Sequence, residues 1–478
     1  MSYDIALRSY HDKDYQKAME FCTNFLQTEP TSAKGWFLYG KILFDLKNYE
    51  FAKSCFLTTI ELDPDFFESY YMLGNILSIE ENFTEAISMW KKVLKLRADI
   101  SLVYSNISTA YLSLGDYNQA YENAKQALKL DLKNIDAYRC FAKIYQAKKE
   151  LDKMEYNLKQ ILLYNKEDTT ANFELSYVYF LKQDYYNAYK YYEYRKLLPQ
   201  RQGEYNYLPF KEGDDLSNVK SLLIYHEQGL GDNIIFSRFL KNLNNIDFVS
   251  IGIQNSLNRL FSYNFPEKQM LSVVDSNMNF DYCIPLMSIP HCLELDTNSP
   301  TDKYLDVDTN DIQMIKEKYS IRNDKKNIGI VFRGGIHNES DKIRNIEPKT
   351  LEKLYSIDNT KFYSLQIDRF DNIEQYPVEN VGVDFKDFYD TAVFISALDM
   401  VISVDTAVAH LSGALGQNTY VLVHKNMFDW RWSGKNGKCL WYDSAQAFEF
   451  DLNNIDNIVD ILKEKIINFK KVENNDGL

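Results

Sequence analysis

The sequence predicts two structural parts, an array of α-helical repeats over residues 1–197 and an α/β module over residues 218–470. In the first part, similar residues recur every 34 positions, which is the length of a helix–turn–helix unit. In the second part, short apolar runs alternate with helical stretches, as in a parallel sheet covered by helices. We expect residues 198–217 to be a linker and residues 471–478 to be a tail.

A spacing of 34 residues orders the first part of the chain. Small residues at some shared positions would let paired helices approach closely, and aromatic residues at another would fill the groove between pairs. Because one helix pair cannot bury its own apolar face, we expect the units to stack into a superhelix. The residues that share positions are Ala18, Ala52, Ala86 and Ala120, with Met154 and Ala188 in the same frame; Gly40 and Gly74; Pro30 and Pro64; and Trp36, Tyr70, Tyr104 and Tyr138.

This pattern resembles the tetratricopeptide repeat, and the resemblance covers residues 1–197. It implies a solenoid whose concave face binds a peptide or protein partner. The alternative is a spacer or an oligomerisation element, because a fold does not by itself define a function. The chain departs from the family pattern where proline is missing from the ends of the third to fifth repeats, and where Met154 replaces the expected alanine.

The chain is acidic, with a net charge of −14 from 54 Lys and Arg residues against 68 Asp and Glu residues. Such a chain repels phosphate backbones, which disfavours a nucleic-acid partner. The six cysteines are scattered without a C-x-x-C pair, so we expect reduced thiols rather than disulfides or a zinc site. No apolar run reaches the roughly 20 residues that span a bilayer, and the first residues lack the apolar core of a signal peptide. We therefore expect a soluble, cytoplasmic protein without a transmembrane segment.

The period of 34 ends near Leu198-Pro199, and the polar stretch that follows contains Gly and Pro, as linkers do. Beyond it, apolar runs of the kind that form buried parallel strands predict a doubly wound sheet. The length allows two Rossmann-like lobes, an N-terminal lobe over 218–320 and a C-terminal lobe over 321–470. The apolar runs are SLLIY (221–225), NIGIVF (327–332), DMVISV (399–404) and TYVLV (419–423).

The segment YHEQGLGDN (225–233) is the first candidate for a functional site, because it directly follows a predicted strand. Gly229 and Gly231 allow a sharp turn and a close approach to a ligand. Asp232 would then lie at the carboxyl end of a parallel strand, where open sheets bind ligands. The alternative is that Asp232 caps the helix that follows. The spacing is not G-x-G-x-x-G, so a hydride-transfer cofactor is not indicated.

A second candidate is SVDTAVAHLSGALG (403–416), in which a strand leads through Asp405 and Thr406 into a helix of small residues. The N-terminus of that helix offers backbone N–H groups to a phosphate or a sugar hydroxyl. His410 lies one turn into the helix, on the same side as Thr406. The alternative is that Asp405 only caps the helix and that His410 is a buried core residue.

The third candidate is the polar loop VFRGGIHNESDKIRNIEP (331–348), which follows another predicted strand. Its cations Arg333, Lys342 and Arg344 suit a pyrophosphate leaving group. A solvated run of charges is the alternative. We expect no catalytic role for His337 in the same loop.

These segments, in this order, resemble the glycosyltransferase family 9 (heptosyltransferase-like) domain, and in particular bacterial proteins that fuse this domain to tetratricopeptide repeats. The resemblance covers residues 218–450 and is most specific in DTAVAHLSGALG followed by DWRW. EQGLGDNIIFSRFL, IPLMSIP and FDWRWSGKNGKCLWY also match stretches of that family. The domain organisation is more distantly similar to that of repeat-bearing enzymes that attach N-acetylglucosamine to protein hydroxyls. The implied fold is GT-B, with the active site in the cleft between two lobes.

The resemblance implies a glycosyltransferase that moves a sugar from a nucleotide-sugar donor to a hydroxyl of a protein or polysaccharide acceptor. It assigns the base to Asp232, donor binding by the C-terminal lobe to Asp405, Thr406 and His410, and support of the loop to Gly229 and Gly231. The resemblance also places Arg344, with Lys342 or Arg333, at the diphosphate of the donor, and Gln366 at its nucleoside. Trp430, Arg431 and Trp432 either wall the cleft or pack a loop.

The implied reaction is a direct displacement with inversion that needs no metal and no cofactor, since the nucleotide-sugar is a substrate and cationic side chains neutralise the diphosphate. Asp306-Val307-Asp308 does form a D-x-D, the sequence that metal-dependent glycosyltransferases use. It falls in the segment between the lobes, so we interpret it as a coincidence. The basic loop, SDKIRNIEP, departs from the heptosyltransferase motif, and a heptose donor is therefore not assumed.

A non-catalytic alternative also fits the sequence. In this reading the repeats bind proteins and the second part is a degenerate glycosyltransferase-like domain. Asp232 and the pair Asp405 and His410 are all present, which favours the enzyme.

Overall fold

The repeats form a series of antiparallel helix pairs in the computed structural model. The structure describes residues 2–201, 216, 219–273, 278–334, 343–367, 373–425, 427, 429–433, 437–451 and 453–470. By internal packing the chain divides into two compact units, Met1–Ala171 and Asn172–Leu478. Among the described residues, no helix combines the length and the apolar content needed to cross a membrane.

Consecutive helices of the repeats pack in pairs, the first on the second, the third on the fourth and so on to the ninth and tenth. The helices are α1 Ser2–His11, α2 Tyr15–Thr28, α3 Ala33–Asp45, α4 Tyr49–Leu62, α5 Phe67–Ile79, α6 Phe83–Leu96, α7 Ser101–Ser113, α8 Tyr117–Leu130, α9 Ile135–Ala147, α10 Leu151–Tyr164, α11 Thr169–Lys182 and α12 Tyr185–Tyr192. Their regular alternation confirms the predicted helical repeat.

The small residues of the 34-residue frame lie where paired helices touch. Ala18, Ala52, Ala86 and Ala120 are all fully buried. A Cβ atom on Gly74 would collide with the buried ring of Trp90 on the partner helix. Glycine is therefore favoured at this crossing, because the ring of Trp90 leaves no room for a methyl group.

Acidic residues in the turns begin the second helix of several pairs. The side chain of Asp14 accepts a hydrogen bond from the backbone N–H of Lys17, and Asp116 does the same with Gln119. These N-caps satisfy backbone donors that the helix leaves unpaired, so the repeated Asp before an aromatic residue has a local structural cause.

The first part of the α/β region is a four-stranded parallel sheet with the order β3-β2-β1-β4. Its strands are β1 Ser221–Tyr225, β2 Phe248–Gly252, β3 Gln269–Leu271 and β4 Tyr282–Pro285. The helices of this part are Leu230–Phe236, Asn255–Asn264 and Ile289–Cys292.

A second parallel sheet follows, with six strands in the order β10-β9-β8-β5-β6-β7. Its strands are β5 Lys326–Val331, β6 Thr360–Ser364, β7 Val378–Asn380, β8 Met400–Val404, β9 Thr419–His424 and β10 Ala445–Phe450. The helices are Thr309–Lys318, Glu352–Tyr355, Phe388–Ser396, Ala407–Ala414 and Ile455–Asn468. The four predicted apolar runs correspond to β1, β5, β8 and β9.

The last helix of the repeats packs with the α/β region. Tyr189 and Tyr192 of α12 are buried, and their rings lie 5.7 Å from Phe239 and 5.9 Å from Phe236, respectively. The compact units accordingly separate at residues 171 and 172, whereas the period in the sequence places the end of the repeats at residue 197. The period of 34 residues continues through α12, although this helix packs against the α/β region.

Candidate functional site

Asp232 lies in the first turn of the helix Leu230–Phe236, which begins a few residues after β1 ends at Tyr225. Its Oδ2 atom accepts a hydrogen bond of 3.3 Å from the backbone N–H of Gly229, the residue before the helix. Asp232 is thus the third residue of the helix, and its side chain caps the helix N-terminus through this hydrogen bond. The cap proposed as the alternative is present, although Asp232 does not occupy the N-cap position itself.

Gly231 lies where this helix meets the helix Ala407–Ala414. A Cβ atom on Gly231 would come within 2.7 Å of Cδ2 of His410 and 3.4 Å of Cα of Ala407. A side chain at position 231 would therefore require the buried ring of His410 to shift. The structure therefore brings the loop after β1 and the turn after β8 together, although the two strands belong to different sheets.

Asp405 follows β8 directly, and its carboxyl group is buried with 6% of the residue exposed. Its Oδ1 atom accepts a hydrogen bond of 2.7 Å from Nε1 of Trp432, and its Oδ2 atom lies 3.7 Å from Nη1 of Arg344. Burial, followed by the charge of Asp429, raises the pKa of Asp405 to about 6, and the contacts with Trp432 and Arg344 oppose that rise. Asp405 is thus an acid that titrates close to neutral pH.

The N-cap of the helix Ala407–Ala414 is Thr406, not Asp405. The Oγ1 atom of Thr406 accepts a hydrogen bond of 3.4 Å from the backbone N–H of Ala409 and lies 3.0 Å from the hydroxyl of Ser403. This corrects the interpretation that Asp405 caps this helix. Because Thr406 takes the capping role, the carboxylate of Asp405 is left for the contacts described above.

His410 is buried in an aromatic environment. Its ring stacks on that of Trp432 with a centroid distance of 4.5 Å, and its Nδ1 atom lies 3.3 Å from the hydroxyl of Tyr442. Burial, together with nearby arginines such as Arg431, holds the pKa of His410 well below its ordinary value. The imidazole is therefore neutral at physiological pH and cannot supply a positive charge to a phosphate.

Arg431 joins two carboxylates across the candidate site. Its guanidinium is hydrogen-bonded to Oδ1 of Asp232 and lies 3.2 Å from Oδ1 of Asp429. Burial disfavours the charged guanidinium, but Asp232 and Asp429 outweigh this effect and hold the pKa of Arg431 well above its ordinary value. Both oxygens of Asp232 consequently have partners, one on Arg431 and the other on the N–H of Gly229.

The predicted cationic loop reaches the same edge of the second sheet. Nη1 of Arg344 donates a hydrogen bond of 3.1 Å to the backbone carbonyl of Asp405. A Cβ atom on Gly334 would lie 3.6 Å from Nε of Arg344 and 3.7 Å from Cγ2 of Thr406, so the end of this strand adjoins the 405–406 turn. Lys342 and His337 lie outside the described residues.

Gln366 lies just beyond the carboxyl end of β6 and is buried. Its side-chain oxygen accepts a hydrogen bond of 3.3 Å from the backbone N–H of Arg333, just after β5. Since β5 lies between β6 and β8 in the sheet, Gln366, Arg333 and Asp405 occupy adjacent positions along one edge. This is the edge where open parallel sheets bind their ligands.

The D-x-D sequence has a structural role. Oδ1 of Asp306 lies 2.8 Å from Nζ of Lys303, and the backbone of Asp306 bonds to the side chain of Asn264. Asp308 caps the helix Thr309–Lys318 by accepting from Asn310. In the described part of the chain, no group of three or more His, Cys, Asp or Glu side chains could hold a metal ion.

The sequence left open whether Trp430, Arg431 and Trp432 wall the cleft or pack a loop, and the structure gives the contacts of each side chain. Trp430 stacks on Phe180 of α11 at 4.0 Å, whereas Arg431 and Trp432 contact the two candidate carboxylates. Sequence reasoning missed the pairing of Arg431 with Asp232, which are separated by 199 positions. Near Arg431 in the sequence, Asp429 is the local sign of a charge cluster.

The first part of the chain is defined by its tetratricopeptide repeats. Models of this repeat match residues 33–66, 55–88 and 102–134. These matches, together with the helix pairs described above, confirm the repeats that the sequence predicts. No curated protein sequence matches the chain.

Several solved structures are similar to part of the chain. MamA from Desulfovibrio magneticus RS-1 is 16% identical, covers 35% of this chain and 94% of its own length, and has a TM-score of 0.33. The pilus biogenesis factor PilW is 16% identical, with coverage of 42% and 96% and a TM-score of 0.39. YrrB, described as a repeat protein with an unusual peptide-binding site, is 17% identical, with coverage of 38% and 93% and a TM-score of 0.32.

Proposed function

We propose that this protein is a glycosyltransferase of the GT-B type, similar to glycosyltransferase family 9. It would transfer a sugar from a nucleotide-sugar donor to a hydroxyl group of a protein or glycan, with inversion and without a metal. The repeats, which are protein-interaction modules, would recruit the acceptor or another protein partner.

One observation carries this proposal. The loop that bears Asp232 and the turn that bears Asp405 come from the carboxyl edges of two separate parallel sheets and meet at Gly231 and His410. Ligands of open α/β sheets bind outside these edges, so a donor on one sheet could be reached by a carboxylate from the other. A two-lobed transferase needs this arrangement, because the acceptor and the donor must be held on opposite sides of the reacting carbon.

The donor side of the proposed reaction is the edge of the second sheet. The first N–H groups of the helix Ala407–Ala414 and the guanidinium of Arg344 would neutralise the diphosphate as it leaves. Arg333 and Lys342 are further candidates for this role, and Gln366 would lie beside the nucleoside. His410, being neutral and stacked on Trp432, would support the turn and could donate a hydrogen bond but not a charge.

The acceptor side is Asp232. In the proposed step, its carboxylate takes the proton of the acceptor hydroxyl while that oxygen bonds to the anomeric carbon and the bond to the nucleoside diphosphate breaks. For this, Oδ1 of Asp232 would exchange its hydrogen bond with Arg431 for one with the acceptor. Oδ2 can keep its bond to the N–H of Gly229, which fixes the orientation of the carboxylate.

A thermal-shift series with nucleoside diphosphates tests the donor side. We expect one of UDP, GDP, ADP or CDP to stabilise the full-length protein by about 2.7 kcal/mol at one hundred times its Kd. Arg344→Ala should remove most of this shift, because it deletes a cation next to the 405–406 turn. Arg322→Ala is the matched control, since the exposed guanidinium of Arg322 pairs with the nearby Asp324.

A second candidate function is a protein-binding scaffold without catalysis. It is favoured by the confirmed repeats and by the occupation of both Asp232 oxygens in this structure. If none of the four nucleotides shifts the melting temperature of the wild-type protein, the scaffold is the better account and the glycosyltransferase proposal is wrong.

A further inference from the structure

The loop between β1 and the helix Leu230–Phe236 is held from outside its own sheet. Gln228 in this loop has a positive φ of 59°, a conformation that non-glycine residues seldom adopt without support. Its side-chain amide donates a hydrogen bond of 3.3 Å to the hydroxyl of Tyr192, the last residue of α12. The neighbouring Glu227 is buried, with 4% of its surface exposed.

Arg195, just after α12, holds the buried carboxylate of Glu227. Its Nε atom donates to Oε2 of Glu227 at 3.0 Å, and its Nη2 atom donates to Oε1 at 2.5 Å, so the pair is bidentate. The guanidinium has no exposed surface, and its Nη1 and Nη2 atoms also bond to Glu193 and Ser288. A buried bidentate pair of this kind fixes both position and angle.

The same contacts continue into the turn that presents Asp232. Nδ2 of Asn233 donates to the backbone carbonyls of Glu227 at 3.0 Å and Gly229 at 2.9 Å. Gly229 in turn donates its N–H to Asp232. A shift of Glu227 would thus be passed on through Asn233 and Gly229 to the carboxylate of Asp232.

We propose that Tyr192 and Arg195 are positioning residues for the 227–232 loop, so that the end of the last repeat forms part of the reaction machinery. This role rests on the proposed function, in which Asp232 accepts a proton from the acceptor. Tyr192 and Arg195 contact the loop through Gln228 and Glu227. The segment after α11 therefore positions the 227–232 loop, a role that differs from that of the preceding repeats.

Tyr189 provides a matched control for Tyr192. Both tyrosines lie on α12, both are buried and both hydroxyls bond to the α/β region. The hydroxyl of Tyr189, however, donates to the backbone carbonyl of Thr297 at 3.0 Å and not to a residue of the 227–232 loop. Replacement of either tyrosine by phenylalanine removes one hydroxyl and leaves the ring packing in place.

Amide hydrogen exchange of the full-length protein, followed by mass spectrometry of peptides that contain residues 226–236, tests the inference. We expect Tyr192→Phe to speed exchange in this segment by about fivefold, the equivalent of one ordinary hydrogen bond. Arg195→Met should have a larger effect, and Arg195→Lys, which keeps the charge but not the bidentate geometry, an intermediate one. Tyr189→Phe should leave the exchange of this segment unchanged.

The second readout is the amount of sugar that the same variants attach to cellular proteins and glycans. We expect Tyr192→Phe and Arg195→Lys to lower it and Tyr189→Phe to leave it at the wild-type level. Unchanged exchange in Tyr192→Phe and Arg195→Lys would overturn the inference, as would faster exchange with full sugar transfer. Failure of the proposed function has a different signature, since the wild-type protein would then attach no sugar at all.

Discussion

The carboxyl group of Asp405 differs from ordinary surface carboxyls because burial raises its pKa to about 6. The unfolded chain releases this proton near pH 3.8, the ordinary value for Asp, whereas the folded protein holds it to about pH 6. The free energy of unfolding therefore falls as the pH rises between these two values and stays lower above pH 6. A buried charge that destabilises the fold is typical of functional sites rather than of packing positions.

Replacement of Asp405 by Asn should therefore stabilise the protein above pH 6, by roughly 2–3 kcal/mol, and have little effect near pH 4. The amide oxygen of Asn can still accept from Trp432, so packing is retained. Thermal unfolding at pH 4.5 and pH 8 measures the difference.

Asp281→Asn is the control for the Asp405 substitution, because its pKa is shifted in the opposite direction. Backbone N–H groups of Ser221 and Lys220 bond to Asp281 and lower its pKa. This substitution should not raise the melting temperature at pH 8. If Asp405→Asn behaved in the same way, the raised pKa of Asp405 would be refuted.

Single residues show how far the sequence defines the candidate site. Asp232, Asp405 and Thr406 could be selected in advance because each follows an apolar run that becomes a strand. The pairing of Arg431 with Asp232 could not, since it joins residues far apart in the chain and depends on how two sheets approach each other. The capping role of Thr406 was also missed, because Asp and Thr are both good N-caps and sequence does not decide between adjacent candidates.

Whole elements were easier to predict than side-chain partners. The helix pairs follow from a period that repeats through α1–α12, and each copy reinforces the same interpretation. The strands β1, β5, β8 and β9 follow from apolar runs that parallel sheets require. Short or less apolar strands, such as β3 with its exposed Gln269, carry no such signal and were not predicted.

The crossing of α5 and α6 gives a test at the scale of elements. Gly74→Ala should destabilise the protein by about 2 kcal/mol, because the new methyl group collides with Trp90 and overpacks the pair. In an uncrowded helix the same change stabilises by roughly 1 kcal/mol, so the sign of the effect is diagnostic. Chemical denaturation of the full chain measures it.

Trp90→Phe supplies the control for this crossing. The smaller ring makes room for a methyl group, so the double variant Gly74→Ala with Trp90→Phe should lose less stability than the sum of the two single changes. Strict additivity would mean that the ring of Trp90 does not lie against Gly74.

At the scale of the whole molecule, the end of the repeat pattern and the boundary between the packed units differ. The units separate after Ala171, and the segment from Asn172 to Leu197 belongs with the α/β region, to which it contributes Tyr192 and Arg195. Removal of residues 1–197 would therefore take away the partners of Glu227 and Gln228 along with the repeats. A truncation that separates recruitment from catalysis should end at residue 171.

Mass spectrometry of proteins and surface glycans from cells that carry the wild-type chain or its Asp232→Asn variant tests the central claim most directly. The substitution keeps the shape of the side chain and one oxygen, which can accept from Arg431 or from the N–H of Gly229 but not from both, and an amide cannot accept the proton of an acceptor hydroxyl. We expect a mass increment of one or more sugars in the wild-type cells, its retention in Asp281→Asn and its loss in Asp232→Asn. The same increment in Asp232→Asn cells, or none in the wild type, would contradict the claim that Asp232 performs sugar transfer.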